Sequence, residues 1–283
     1  MTDIFEFQFM QNAFMAGIML SLVLALVSFF VVLRRFSFIG VGVAHSAFGG
    51  VALGTLLGIS PTLVAIGFAV VISNAIGFIS RQGKLSTDTA IGIFFSLAMA
   101  LGVIFIGLSD RYNVDLFGYL FGNILAVSKF DLGLIAVLGG MIVLFLILFF
   151  KELLFIAFDH EVAWVSGVSV PFFDHFLLTL LALTVVISMK VVGIILVSAL
   201  LVIPGAAAAQ ITGRYVSMVV VAMAVALTAT VGGLIISYYA DLASGATIVT
   251  LAAFIFFVAF VWGRVRRRIK NRAQPAPQAP ILE

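Results

Sequence analysis

Residues 13–35 read AFMAGIMLSLVLALVSFFVVLRR, and this stretch decides the fold. Twenty-one residues with no charge run straight into Arg34-Arg35. About twenty apolar residues cross the hydrocarbon of a bilayer, and a basic pair at the end of such a run marks its cytoplasmic side. The first span therefore runs inward from an external N-terminus. Working outward, the next runs repeat the pattern with alternating sense. A second, from about Phe38 to Leu57, returns to the outer turn Ile59-Ser60-Pro61, and a third comes back to Arg81-Gln82-Gly83-Lys84. A fourth, from about Thr89 to Leu108, ends outside.

Continued on the same rule, the reading predicts an all-α, polytopic transmembrane bundle of about nine spans, with the C-terminus cytoplasmic. The segment between Ser109 and Lys129 is expected to be an external loop with an interfacial helix. The fifth span covers about Leu132 to Phe150, and an amphipathic cytoplasmic stretch follows it. The sixth and seventh are joined by a short outer turn near Met189-Lys190. The eighth ends outside at SYYADLASGA, and the ninth, from about Thr247 to Trp262, ends in RVRRRIKNR. Residues 1–264 form the membrane domain and residues 265–283 a basic, Pro-rich cytoplasmic tail. Twelve of the fifteen Lys/Arg fall on the inner side, leaving only Arg111, Lys129 and Lys190 outside. The N-terminus lacks a basic lead and the run behind it is long enough to span, so no cleaved signal peptide is expected.

Composition agrees. A chain of 283 residues that is 64% hydrophobic and 10% charged, with mean hydropathy +1.30, carries more apolar surface than one soluble core can hide. The net charge of +3 resides at span ends, which argues for orientation and contact with membrane lipid and against nucleic acid. With no cysteine, disulfides, thiolate zinc sites and iron–sulfur clusters drop out. The only Gly-Lys pair, Gly83-Lys84, lacks the glycine five positions earlier and the Ser/Thr after it that a phosphate-binding loop needs. No nucleophile stands beside a base. The chain reads as a non-enzyme with no bound cofactor, and any nucleotide hydrolysis belongs to another subunit.

Few residues could carry chemistry. On the second span Gly42, Ser46, Gly50, Gly54 and Gly58 recur every fourth position, a ridge on which another helix can approach closely. His45 lies about ten residues past Arg35, which at about 1.5 Å per residue puts an imidazole near mid-membrane. Two readings stand open for it: a ligand for a divalent transition metal, or a histidine bonded to a neighbouring helix. Asp88 opens the fourth span, where a carboxylate complements a helix N-terminus. Asp241, at the outer end of the eighth span, is either a cation-attracting entrance residue or a solvated loop acid. Asp159, His160 and Glu161 are consecutive, so they cannot converge on one ion from a single helix.

Five ordered segments carry a resemblance: FIGVGVAHSAFGGVALG (38–54), DTAIGIFFSLAMALGV (88–103), FDHEVAWVSGV (158–168), VVGIILVSALLVIPGAAAA (191–209) and ISYYADLASGATI (236–248). Together they resemble the permeases of manganese/zinc/iron ABC transporters over about Met10 to Arg264. The resemblance implies an importer of the bacterial inner membrane in which two copies of the permease form the path. Two ATPase subunits, which bind the ATP, dock inside, and an extracytoplasmic solute-binding protein delivers the metal. It also implies that an Asp precedes the second-span His by four residues. Here the His is His45 and that position is Val41, so a hard, charged ligand is missing. Either other spans supply ligands, or the ion is held weakly, or the substrate differs. The lone nitrogen ligand leans to zinc first, with manganese or iron next. Asp88 and Asp241 inherit a weaker candidacy as path residues. The coupling region to the ATPase maps to Ile203, Pro204, Gly205, Ala206, Ala207, Ala208, Ala209 and Gln210. The rival readings are a permease for a metal chelate of siderophore or cobalamin type, and a secondary carrier or membrane scaffold without an ATPase.

Overall fold

A computed structural model describes residues 6–83, 85–109, 122, 124 and 127–273, with side chains described as far as Arg266. Regular structure among the described residues is helical. In chain order it comprises α1 (Gln8–Leu33), α2 (Ser37–Leu57), α3 (Pro61–Arg81), α4 (Thr87–Gly107), α5 (Lys129–Leu148), α6 (Phe150–Phe158), α7 (His160–Val165), α8 (Val170–Leu200), α9 (Ile203–Ile211), α10 (Tyr215–Ala240) and α11 (Ser244–Ala273). The helix expected between Ser109 and Lys129 lies mostly outside the described residues, as does the tail beyond Ala273. The basic run that closes the sequence begins as a continuation of α11 rather than as a separate segment.

The turns follow from local chemistry. Gly58 ends α2 in the left-handed region (φ 69°), and the Ile59 N–H closes back onto the Gly54 carbonyl at 3.0 Å. Pro61 then starts α3, where its missing N–H costs nothing and its fixed φ already suits a helix. Ser128 and Asp131 cap α5 reciprocally, each side chain accepting from the other's backbone N–H, so two of the donors that a helix start leaves free are satisfied.

Among the described residues eight helical stretches are long and apolar enough to cross a membrane, the longest being the 42 residues Val170–Ile211. A straight helix of that length would measure about 63 Å, twice the hydrocarbon thickness. Side-chain partners show that it doubles back. Asp174, near its start, pairs with Arg34 at the inner end of α1 and with Arg81 at the inner end of α3. Lys190 pairs with Asp131 at the outer start of α5. Gly205 is again at the inner end, its N–H donating to Ser28 Oγ at 2.9 Å. The reversal is at Gly193, whose backbone (φ 79°, ψ 161°) interrupts α8 in a region that essentially only glycine adopts. Among the described residues the longest of the eight stretches thus passes the membrane twice. The turn expected at Met189-Lys190 falls instead at Gly193: Lys190 still belongs to the ascending helix, where it meets Asp131.

Packing inside the bundle depends on close approach, because lipid tails are as apolar as the core and supply no hydrophobic drive between helices. α2 is wedged between α3 and α4. A Cβ on Gly50 would stand 2.7 Å from Ala65 Cα of α3, and one on Gly49 would stand 2.6 Å from the Ala98 carbonyl of α4. The ridge of small residues is therefore a packing device on two sides. α1 occupies the centre, and its buried Phe29 stacks on Phe150 of α6 at 6.0 Å, folding the short helices under the bundle.

Candidate metal path and inner-face surfaces

The α2–α4 pair is where the sequence candidates meet. The two helices run parallel, and Gly42 lets Ile91 approach so closely that an added Cβ would lie 2.5 Å from Ile91 Cγ2. Around that contact lies an open cavity of about 430 Å³ lined by Phe38, Val41, His45, Asp88, Gly92 and Phe95, among others. His45 and Asp88, which are forty-three positions apart in sequence, share this cavity. Asp241 does not. It ends α10 at the outer face in a left-handed conformation (φ 51°), a backbone region that Asp tolerates better than most residues. Its position assigns it a helix-terminating role.

The orientation of His45 follows from its own helix. Its Nδ1 lies 2.9 Å from the Val41 carbonyl oxygen. A carbonyl only accepts, so Nδ1 carries the hydrogen and donates, leaving the Nε2 lone pair free. This is how metal-ligating histidines are commonly held, with one ring nitrogen fixed by a backbone acceptor and the other presented. Phe95 packs edge-on against the imidazole at 5.3 Å. Val41 has two parts to play: its carbonyl orients His45, and its side chain lines the cavity. An Asp at this position would present its carboxylate to the same space.

Asp88 is exposed in the first turn of α4. The cap itself is Ser86, whose Oγ accepts from the Thr89 N–H at 3.2 Å, so the capping expected of Asp88 passes to a neighbour and its carboxylate is left for the cavity. Among the described residues no three His, Cys, Asp or Glu side chains gather as a metal site. One copy thus brings one nitrogen and one carboxylate to the cavity.

The segment Ile203–Gln210 was expected to be the coupling region. It forms most of α9, but Pro204, Gly205, Ala207 and Ala208 are buried. A Cβ on Gly205 would lie 2.6 Å from the Ser28 carbonyl oxygen. These buried small residues seat α9 against the bundle. The exposed part comes later, at Gly213 and Arg214. There a polar cavity of about 710 Å³ opens between the end of α9, Thr212, Arg214, Ser217 and Arg266, and an Arg266 guanidinium N–H donates to the Ile211 carbonyl at 3.2 Å.

Sequence reasoning missed the ionic centre of the inner face. Asp174 is 4% exposed and holds Arg34 and Arg81 together, joining three helix ends. Both arginines lie at helix C-termini, where the macrodipole favours a cation. The signal was present in FFDHF (172–176), an acid set among aromatics. Beside it the His175 ring and Asn74 Oδ1 are 2.8 Å apart, linking α8 to α3. Of the Asp159–His160–Glu161 run, Asp159 is the α7 cap, accepting from the Glu161 and Val162 N–H groups.

Comparison with known proteins accords with this architecture. The ABC 3 transport family matches residues 6–263. The chain is 37% identical over 269 residues to the manganese import system permease protein ScaB of Streptococcus gordonii, covering 95% of this chain and 96% of that protein. It is 35% identical to the manganese transport system membrane protein MntC of Listeria monocytogenes, over 91% of each. The solved structure of PsaBC from Streptococcus pneumoniae in complex with Fab superposes with a TM-score of 0.85 at 36% identity, covering 95% of this chain and 97% of that one. The chain belongs to the ABC 3 transport family, as a multi-pass inner-membrane permease of the metal ABC-transporter type.

Proposed function

We propose that this permease imports a divalent transition metal, with manganese ahead of zinc and iron. The observation that carries the reading is the α2–α4 cavity, whose lining includes both His45, with its Nε2 presented, and Asp88. A mixed nitrogen and oxygen donor set suits manganese better than a lone imidazole does, and two of the relatives are named for manganese. This revises the order suggested by His45 alone, which put zinc first. Two donors from one chain make a weak site. A second copy facing the open side of the cavity would repeat them, and a homodimer is the arrangement we favour. Weak binding serves transport, since an ion held too firmly does not leave.

The chain carries no phosphate-binding loop, and the work is assigned to an ATPase subunit docking at the inner face, with a solute-binding protein delivering the ion outside. The docking edge is the exposed turn Thr212–Arg214 together with Gln210, positioned by the buried part of α9. Arg214→Glu is expected to weaken the ATPase complex, whereas Gly205→Leu is expected to damage the fold itself.

The test is ATP-dependent uptake into proteoliposomes that hold the permease, its ATPase and its binding protein, with manganese, zinc and iron read together by elemental mass spectrometry. Selective gain of manganese supports the reading. An active ATPase with no metal gained would sink it in favour of a chelate permease.

A further inference from the structure

The polar cavity of about 710 Å³ beside α9 has no part in the ion's route, yet its walls are well defined. It lies between the end of α9, the start of α10 and the inner end of α11. A Cβ on Gly263 of α11 would stand 2.6 Å from the Gln210 carbonyl oxygen of α9, so the backbones themselves set the wall. Arg266 crosses the same gap to the Ile211 carbonyl.

Its charge is one-sided. Arg214 and Arg266 line it together with the hydroxyls of Thr212 and Ser217, and among the described residues no acid does. Residues 203–240 and 244–273 hold no Asp or Glu, so no carboxylate on α9, α10 or α11 neutralises the pair. Elsewhere on the inner face Arg34 and Arg81 share Asp174. The 26-residue α10 adds to the positive side, because Arg214 at its N-cap offers no acceptor to the N–H groups of the first turn. Guanidinium forks beside hydroxyls are the donors that phosphate oxygens take.

Depth identifies what carries the phosphate. Tyr215, 46% exposed, opens α10, and Trp262, 64% exposed, stands one residue before Gly263. Such rings settle at the headgroup level of a bilayer. Val216, Val220, Val261 and Val265 are exposed on the same two helices, which gives acyl chains an apolar surface directly beyond the basic cavity. A small soluble anion would use none of it.

We propose that this cavity binds the phosphate of an anionic inner-leaflet phospholipid, held by Arg214 and Arg266 with Ser217 as a further donor, and with the acyl chains laid along α10 and α11. Basic pockets between helices on the cytoplasmic side receive headgroups of this kind. A lipid so placed ties the short, buried α9 to the two peripheral helices. The site depends neither on which ion is carried nor on the ATPase.

The experiment uses the full-length permease in neutral detergent, without the ATPase because Arg214 also belongs to the proposed docking turn. Phosphatidylglycerol, phosphatidylcholine and inorganic phosphate are titrated separately while the thermal midpoint is followed. Phosphatidylglycerol should raise the midpoint saturably, since a ligand of the folded state stabilises it; phosphatidylcholine, whose own choline offsets its phosphate, and inorganic phosphate should not. Arg214→Gln and Arg266→Gln should each weaken the apparent affinity about tenfold, the loss expected when a charge-assisted hydrogen bond goes. Arg264→Gln, the same change two residues away on α11 and outside the cavity lining, should leave it unchanged. Arg266 also holds the Ile211 carbonyl, so Arg214→Gln and Ser217→Ala decide the matter if Arg266→Gln lowers the midpoint without lipid. Equal responses to the two lipids, or an equal loss in Arg264→Gln, would overturn the proposal. A saturable shift with inorganic phosphate alone, absent in the Arg214 and Arg266 variants, would overturn the lipid assignment and give the cavity to a soluble phosphate.

Discussion

Replacing Val41 by Asp should convert a weak ion path into a tight one. Val41 lies one helical turn before His45 and its side chain lines the same cavity, so the new carboxylate would stand beside the free Nε2. Side chains at that spacing on a helix are about 5–6 Å apart. At an effective dielectric of about 20, a carboxylate attracts a dication across that gap by about 6 kcal/mol. Taking the carboxylate out of water costs several kcal/mol. The net gain is then about 1–3 kcal/mol, or roughly ten- to a hundredfold in affinity. Isothermal titration of manganese into the permease in nanodiscs would read it, with Val41→Asn, which supplies an uncharged oxygen, expected to show a smaller effect. Uptake should not rise in proportion, because slower release offsets better capture. Unchanged affinity in both variants, with folding intact, would refute the placement of Val41 and His45 on the ion's route.

Three further outcomes test the fold around that route. Gly50→Ala drives a Cβ to within 2.7 Å of backbone on α3 and should cost about 1–3 kcal/mol as overpacking, while Gly67→Ala, which meets nothing within 4 Å, should leave the thermal midpoint unchanged; equal midpoints would refute the close packing. Asp174→Asn leaves the buried Arg34 without its charge partner, and breaking a buried pair should lower the midpoint on the order of 10 °C; an unshifted transition would remove the cluster from the structural account. Gly193→Ala forces a side chain into backbone space reserved for glycine, so folded yield should drop while Gly213→Ala, in open space, is silent; tolerance at Gly193 would argue against the reversal there.

The sequence carried the architecture where physics is local. Arg34-Arg35, the Gly58–Pro61 turn and the run lengths each state a span end without reference to the rest of the chain, and the helix bounds follow them closely. That the long stretch after Val170 turns back was legible for the same reason, but the point of reversal was not. Lys190 looked like the outer turn because it is charged, whereas it is a helix residue satisfied by Asp131, and the turn belongs to the glycine three positions on. The site was half legible. His45 stood out as an intramembrane imidazole and Asp88 as a first-turn acid, yet their sharing of one cavity depends on the parallel register of α2 and α4, set by Gly42 against Ile91. No spacing rule within one helix reports that. Asp174 was hidden for a similar reason: its partners come from two distant helix ends. The small residues after Ile203 suit both a partner's groove and a buried seat, and the Ser28 contact that seats Gly205 is not legible in the sequence.

The central claim is that the metal passes His45 between α2 and α4, and the most direct measurement is manganese uptake by the reconstituted transporter with His45→Ala. The account predicts that uptake falls by at least tenfold while thermal midpoint, ATPase binding and basal ATP hydrolysis stay at wild-type values, since removing one ligand from a two-donor site forfeits most of its hold on the ion. Uptake at the wild-type rate would place the ion's route elsewhere in the bundle and leave His45 as a packing residue against Phe95.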